Sequence, residues 1–205
     1  MTDADVFAQQ TGVSRETLAR LQVYAGLLSK WNPRINLVAP ATLPNLWQRH
    51  FLDSAQVHEA APQRIGHWAD LGTGGGFPGL VVAILAADTP TKVTLVESDQ
   101  RKAAFLRTVV QAVGVDATVI AKRIEEVAPL AADVVSARAL APLPKLLDLC
   151  TRHLAPGGVA LLPKGARADA EIAKALETWQ FRCEKTPSRT EDGAVILKLS
   201  EIQRE

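Results

Sequence analysis

The sequence predicts an α/β protein: a mostly parallel sheet between helices, preceded by a small helical segment. Two observations carry this. From Ile65 onward, short apolar runs alternate with amphipathic stretches, the mark of βαβ units with helices on both faces of a parallel sheet. And one apolar run, Trp68–Leu71, passes at once into glycines 72, 74, 75, 76 and 79 and then into the helical pattern Leu80–Ala87. Strand, glycine loop, helix is the arrangement that brings bare backbone N–H groups up to a nucleotide-like ligand.

The first segment, residues 1–64, reads as a helical cap packed on the core, and residues 65–205 as the ligand-binding domain. Ser14 is suited to N-cap a helix carrying Leu18, Leu21, Ala25, Leu28 and Trp31 at helical spacing. Asn32-Pro33 predicts its end, because the residue before a proline is pushed out of the helical region. Residues 30–37, Lys-Trp-Asn-Pro-Arg-Ile-Asn-Leu, then form a loop, and a second helical stretch starts near Thr42 and closes before Pro62. Strands are expected at 66–71, 92–97, 115–120, 133–137 and 158–163. Helices are expected at 79–87, 99–113, 142–154 and 168–178. Phe181–Lys185 and Ala194–Leu199 flank a turn at Glu191-Asp192-Gly193 and read as an antiparallel pair at the sheet edge, which makes seven strands.

Composition narrows the functional classes. The chain has 205 residues, 47% hydrophobic and 22% charged, enough to bury one substantial core. A net charge of +1 excludes a protein that coats nucleic acid by bulk charge, while leaving room for a local basic face. Cys150 and Cys183 are far apart and lack metal-type spacing, so they read as free thiols and no metal site is expected. The N-terminus lacks the apolar core of a signal peptide, and no apolar run approaches the ~20 residues that cross a bilayer. A cytoplasmic protein, without membrane association, is the expectation.

Two ligands compete for the glycine loop. Gly74-x-Gly76-x-x-Gly79 fits a dinucleotide fingerprint, and Asp70-x-Gly72-x-Gly74-x-Gly76 fits the acid-plus-glycine loop for S-adenosylmethionine. Glu97, ending the second strand, suits the ribose hydroxyls of either, or is simply a solvated carboxylate. Asp70 favours S-adenosylmethionine, since an acid at that point attracts an ammonium and has no reason to stand beside a pyrophosphate. Pro78 suits the first position of the following helix. The chain after Glu97 completes one sheet and leaves little room for a separate dehydrogenase domain.

Other candidates each carry two readings. Ile124 with Glu125 either covers an adenine edge or begins a helix, where acids are favoured. Arg138 and Lys164 stand after the fourth and fifth strands, at the ligand edge of the sheet, where they converge on a carboxylate or phosphate or else remain on the surface. The bases Arg101, Lys102 and Arg107 read as a solvated helix face. His50 either packs between helices or meets RNA, and Trp31 reads as a core anchor before a base-stacking residue.

Five motifs in order carry a resemblance. These are Lys30-Trp-Asn-Pro-Arg-Ile-Asn-Leu37, Arg49-His-Phe-Leu-Asp-Ser54, Asp70-Leu-Gly-Thr-Gly-Gly-Gly-Phe-Pro-Gly79, Ser136-Ala-Arg138 and Lys164-Gly165. With them the chain resembles the RsmG (GidB) family of bacterial small-subunit rRNA methyltransferases. The resemblance implies a class I S-adenosylmethionine-dependent, Rossmann-like fold and methyl transfer to N7 of a guanine in 16S rRNA. It implies cofactor contacts at Gly72, Phe77, Ile124, Glu125 and Arg138, with Glu97 on the ribose; Asp70 and Gly74 join them from the loop reading. RNA contacts are expected at Arg49, His50, Lys145 and Lys164. Arg138 and Lys164 are the candidates nearest the chemistry, which is expected to work by positioning. The partner implied is 16S rRNA or the small ribosomal subunit or its assembly intermediate, with the enzyme a monomer.

Overall fold

The computed structural model describes all 205 residues. A seven-stranded sheet runs in the order β3-β2-β1-β4-β5-β7-β6. Its strands are β1 (His67–Leu71), β2 (Lys92–Val96), β3 (Ala117–Ile120), β4 (Ala132–Ser136), β5 (Leu154–Lys164), β6 (Trp179–Pro187) and β7 (Val195–Arg204). The first five pair in parallel, and β7 is antiparallel to both β5 and β6. The pair expected at the edge is there, with the antiparallel strand as its inner member.

The period-two alternation of the strands sorts their side chains onto two cores. Trp68, Leu95, Val134 and Leu161 face one cluster with α4 (Gly79–Leu85), α5 (Gln100–Val113) and the N-terminal segment. Ala69, Leu71, Val135, Ala160 and Leu162 face the other with α6 (Leu143–His153) and α7 (Ala168–Ala175). The buried thiol of Cys150 lies in that second core and is pushed up to about 12 by burial; Cys183 is half-buried, also free.

The N-terminal segment comprises α1 (Asp3–Thr11), α2 (Arg15–Ile35), a 3-10 turn over Pro40–Asn45, a π-helical turn over Trp47–Leu52 and α3 (Asp53–Glu59). Thr2 and Asp5 cap α1 reciprocally, and Ser14 caps α2. α2 does not stop at Asn32-Pro33 as expected. It runs to Ile35 and ends on Asn36 at φ 50°, whose N–H donates to the Asn32 carbonyl. Pro33 stands in the last turn, where it removes one amide from the ladder rather than breaking a helix interior. Buried Asn32 then accepts from the Val38 amide through Oδ1 at 2.8 Å and directs the exit. Pro78 is likewise one residue outside the expected place, as the N-cap of α4.

The cap grips the glycine loop. Tyr24, fully buried on α2, donates its hydroxyl to the Gly75 carbonyl at 2.5 Å. Burial raises its phenol well above the ordinary value, so it stays a donor. Phe77 stacks on Tyr24 with centroids 5.3 Å apart and meets Phe51 edge-on at 5.4 Å. Phe51 in turn stacks on Trp47 and Trp47 packs on Phe7. Trp31 packs on Phe105 of α5 at 5.7 Å, the core-anchor reading. Each such pair contributes about 0.5–1.5 kcal/mol beyond area burial. Gly76, at φ 103°, needs to be glycine: a Cβ there would run into the Tyr24 hydroxyl.

Tyr24→Phe keeps the packing and strands a buried carbonyl. We expect a loss of about 1–3 kcal/mol in denaturant unfolding; unchanged stability would show that the cap does not hold the loop.

Candidate functional site

Two carboxylates set the shape of the glycine loop. Asp70, at the end of β1, is fully buried. Its Oδ1 accepts from the Ser136 hydroxyl at 2.6 Å, and its Oδ2 accepts from the Gly79 amide at 3.1 Å. The Trp68 indole N–H donates to the same Ser136 oxygen at 2.8 Å, so β1, β4 and the start of α4 are joined by one polar chain. Burial pushes the Asp70 carboxyl up to about 6, against the downward pull of Ser136, Thr73 and Gly79. Glu97, just past β2, accepts from the Gly74 amide at 2.8 Å and from the Asp99 amide at 2.8 Å, one on each oxygen. Each oxygen keeps a second acceptor position for a ligand hydroxyl.

A cavity of about 340 Å³ opens beside this loop. Gly72, Gly74, Glu97, Ile124 and Glu125 line it, as do Lys102, Lys122, Arg123 and Lys145. Its floor at the turn Ile124–Glu126 is tied down from the end of α6. His153, fully buried, meets the Ile124 carbonyl through Nε2 at 3.3 Å, and Arg152 donates to the Val127 carbonyl at 3.0 Å. Bare glycine backbone, a carboxylate with spare acceptor positions and an apolar floor fit an adenosine-containing ligand.

A second cleft, about 1130 Å³, lies on the other side of the segment 138–142. The cap contributes Thr42, Arg49, His50 and Asp53 to it; the sheet edge contributes Arg138, Lys164 and Glu191. Leu140 and Ala141 line both cavities and form the wall between them. Leu140 lies directly over Gly72, where a Cβ would stand 2.7 Å from its Cδ1. Gly72 is also at φ 66°, so both space and backbone exclude a side chain.

Around the wall the cleft is cross-linked. The Arg138 guanidinium lies 5.1 Å over the Phe77 ring, 3.3 Å from Asp53 and 2.9 Å from His50 Nδ1. Because His50 Nδ1 accepts from Arg138, its proton is on Nε2, which donates to Thr42 Oγ1 at 2.8 Å; the Thr42 hydroxyl donates onward to the Ala39 carbonyl. Burial and then the charges of Arg138 and Arg49 lower His50 to about 4. On the far side Lys164 donates to the Ala141 carbonyl at 3.2 Å and to Glu171 at 2.8 Å, and Glu171 also accepts from the Leu143 amide at 2.9 Å. The wall is thus clamped between α7 and the cap.

The expected site residues separate into three groups. Gly72, Gly74, Glu97, Ile124 and Glu125 line the smaller cavity. Asp70 and Phe77 lie behind the loop instead: Asp70 is fully buried between Ser136 and Gly79, and Phe77 is buried in the aromatic cluster. Arg138 belongs to the larger cleft with Arg49, His50 and Lys164. Two residues expected at RNA are placed differently from Arg49 and His50. Lys145 lines the smaller cavity, and the Lys164 side chain is only 9% exposed, its ammonium spent on Ala141 and Glu171. Lys102, read as solvated face, also borders the smaller cavity. Tyr24, Leu140 and Glu171 escaped sequence reading, while Ser136 entered only within a motif and Glu191 only as a turn residue. Their roles rest on contacts that local spacing does not show: Tyr24 with Gly75, Ser136 with Asp70, Leu140 with Gly72, Glu171 with Lys164 and Leu143, and Glu191 with Arg49.

Residues 17–193 match the GidB family model, described as rRNA small subunit methyltransferase G. The chain belongs to this family. Ribosomal RNA small subunit methyltransferase G of Ruegeria sp. (strain TM1040) is 52% identical over 194 residues, covering 94% of each chain. That of Rhodospirillum centenum is 53% identical, covering 96% of this chain and 89% of its own. Solved structures agree on the fold. A SAM-dependent methyltransferase from Aquifex aeolicus superposes with TM-score 0.58 at 12% identity, over 78% of this chain and 93% of its own. TYW2 of M. jannaschii in complex with AdoMet gives 0.56 at 14%, over 84% and 80%. The GidB chain is therefore a class I, S-adenosylmethionine-dependent methyltransferase, and the dinucleotide alternative for its loop falls away. No helix is long and apolar enough to cross a membrane.

A depressed histidine gives a pH signature. His50 in the folded protein sits below its ordinary value, so the neutral ring's contribution to stability is present above about pH 6.5 and is lost as pH falls towards 4. NMR titration should show the ring neutral at pH 6 and charging only near 4; a midpoint near 6.5 would contradict the Arg138–His50–Thr42 chain.

Proposed function

We propose that this protein transfers the methyl group of S-adenosylmethionine to N7 of a guanine in 16S rRNA, with the smaller cavity as donor site and the larger cleft as acceptor site. The observation that carries this is the shared wall: Leu140 and Ala141 border both spaces. Methyl transfer needs N7 in line with the sulfonium methyl and nothing between them, so the reactants meet at the edge of this segment, where the two spaces adjoin.

In this reading Gly72 and Gly74 present backbone to the cofactor, Glu97 takes the ribose hydroxyls, and Ile124 with Glu125 borders the adenine. When bound, the cofactor supplies a sulfonium-activated methyl group. Guanine N7 has an in-plane lone pair and no proton, so the acceptor needs no general base. The chain's own groups agree: His50, the one imidazole in the cleft, is neutral with both ring nitrogens engaged. The protein's work is then positioning and charge control. The purine gains positive charge on methylation. Asp53, 3.3 Å from Arg138, offsets the guanidinium that would otherwise oppose it.

The cleft is far larger than one base, so flanking nucleotides enter with the guanine. Arg49, His50 and Arg138 are placed to meet them. The partner is 16S rRNA, alone or within the small subunit or its assembly intermediate, and the enzyme acts as a cytoplasmic monomer.

Gly72→Arg should abolish cofactor binding in calorimetry and reduce methyl transfer at least about a hundredfold, since the side chain has to enter the space held by Leu140. With wild-type protein, labelled methyl should map to N7 of one guanine in 16S rRNA. Transfer to a small molecule or a protein instead would reject the substrate.

A further inference from the structure

The cleft holds five cationic side chains, Arg49, Arg138, Lys164, Arg167 and Lys174, and three acidic ones, Asp53, Glu171 and Glu191. Each acid is paired with one of the cations. Two of these pairs are built into the frame. Arg138–Asp53 has side-chain exposures of 21% and 19%, and Lys164–Glu171 of 9% and 28%; both hold backbone or ring partners as well. The third pair is different. Arg49 and Glu191 meet at 3.2 Å with exposures of 41% and 52%, and neither side chain has another charged partner.

Glu191 is nevertheless held in place. It stands in the β6–β7 connection, which is pinned to the cap. The Arg189 amide donates to Gln56 Oε1 at 2.6 Å, its guanidinium reaches Glu59 at 2.6 Å, and the Thr190 hydroxyl donates to Asp53 Oδ1 at 3.1 Å. The Ala194 amide closes the turn on the Glu191 carbonyl. A fixed loop therefore brings one carboxylate to one exposed arginine at the edge of the acceptor cleft.

We propose that Arg49 is a phosphate-docking group of the cleft and that Glu191 is its resident counter-anion, which RNA must displace. The inference rests on the RNA-methyltransferase reading above. Two consequences follow. RNA binds less tightly than the cleft's cations alone would allow, because one exposed ion pair is given up first. And the salt dependence is shallower, because the freed Glu191 takes up a cation from solution while the phosphate at Arg49 releases one. A carboxylate that competes with the substrate weakens the grip on the methylated product as well as on the substrate.

The test is a double-mutant cycle on binding of 16S rRNA by fluorescence anisotropy, with Glu191→Gln, Arg49→Ala and the double variant, each checked for cofactor binding by calorimetry. Glu191→Gln should tighten RNA binding roughly two- to five-fold, the range an exposed ion pair spans. It should steepen the log–log salt slope by up to about 1 and leave cofactor affinity unchanged. In the Arg49→Ala background the same change should do almost nothing. Equal tightening with and without Arg49 would mean general loss of negative charge and would overturn the proposal. Unchanged or weaker RNA binding by Glu191→Gln would overturn it too, while wild-type methylation of 16S rRNA stands. If wild-type protein neither binds nor methylates 16S rRNA, the substrate reading itself fails, and this inference with it.

Discussion

The site depends on two carboxylates that accept hydrogen bonds from the glycine loop's own amides. Asp70 takes the Gly79 N–H from within the core, and Glu97 takes the Gly74 N–H from the cavity side. A loop of small residues is the most flexible backbone a chain can contain, and ordering it costs conformational entropy. Here that cost is met inside the protein. Asp70 is itself fixed by Ser136 on the neighbouring strand, which Trp68 also holds. The loop is thus formed as part of the sheet, and a ligand finds it already shaped.

The N-terminal cap completes the same arrangement from the other side. Tyr24 closes on Gly75, and Phe77 leaves the loop to sit among Tyr24, Phe51 and His50 with the Arg138 guanidinium above it. One ring therefore touches the donor loop, the cap and the acceptor cleft together. One continuous cluster holds Phe7 and Tyr24 of the cap with Trp68 and Leu95 of the sheet. Arg49, His50 and Asp53 reach the cleft on the same helical turn that buries Phe51, so packing the cap also places the polar groups that face the substrate.

The alternation of strands and helices was legible because hydrophobic period is a local property, and every element after Ile65 is found within a few residues of its expected place. The loop was legible because its five glycines crowd into the eight residues 72–79. The spacing of Asp70 marks it as special, but only the fold shows that it is fully buried with Ser136 and Gly79 as its partners. The burial of Lys164 was hidden in the same way, because the acid that pairs with it stands on α7. α2 outran its proline because the last turn tolerates a missing amide and Asn32 supplies a side-chain acceptor beyond it. What composition and spacing could not show was which charges meet, and in this cleft the pairing decides which cations remain for RNA.

Amide hydrogen exchange on the cofactor-free protein tests the central claim most directly. If Asp70 and Glu97 shape the loop before any ligand arrives, the Gly74 and Gly79 amides exchange slowly, protected together with those of β1. Exchange of both at the rate of an open chain would contradict it, and would make the loop's shape a product of cofactor binding.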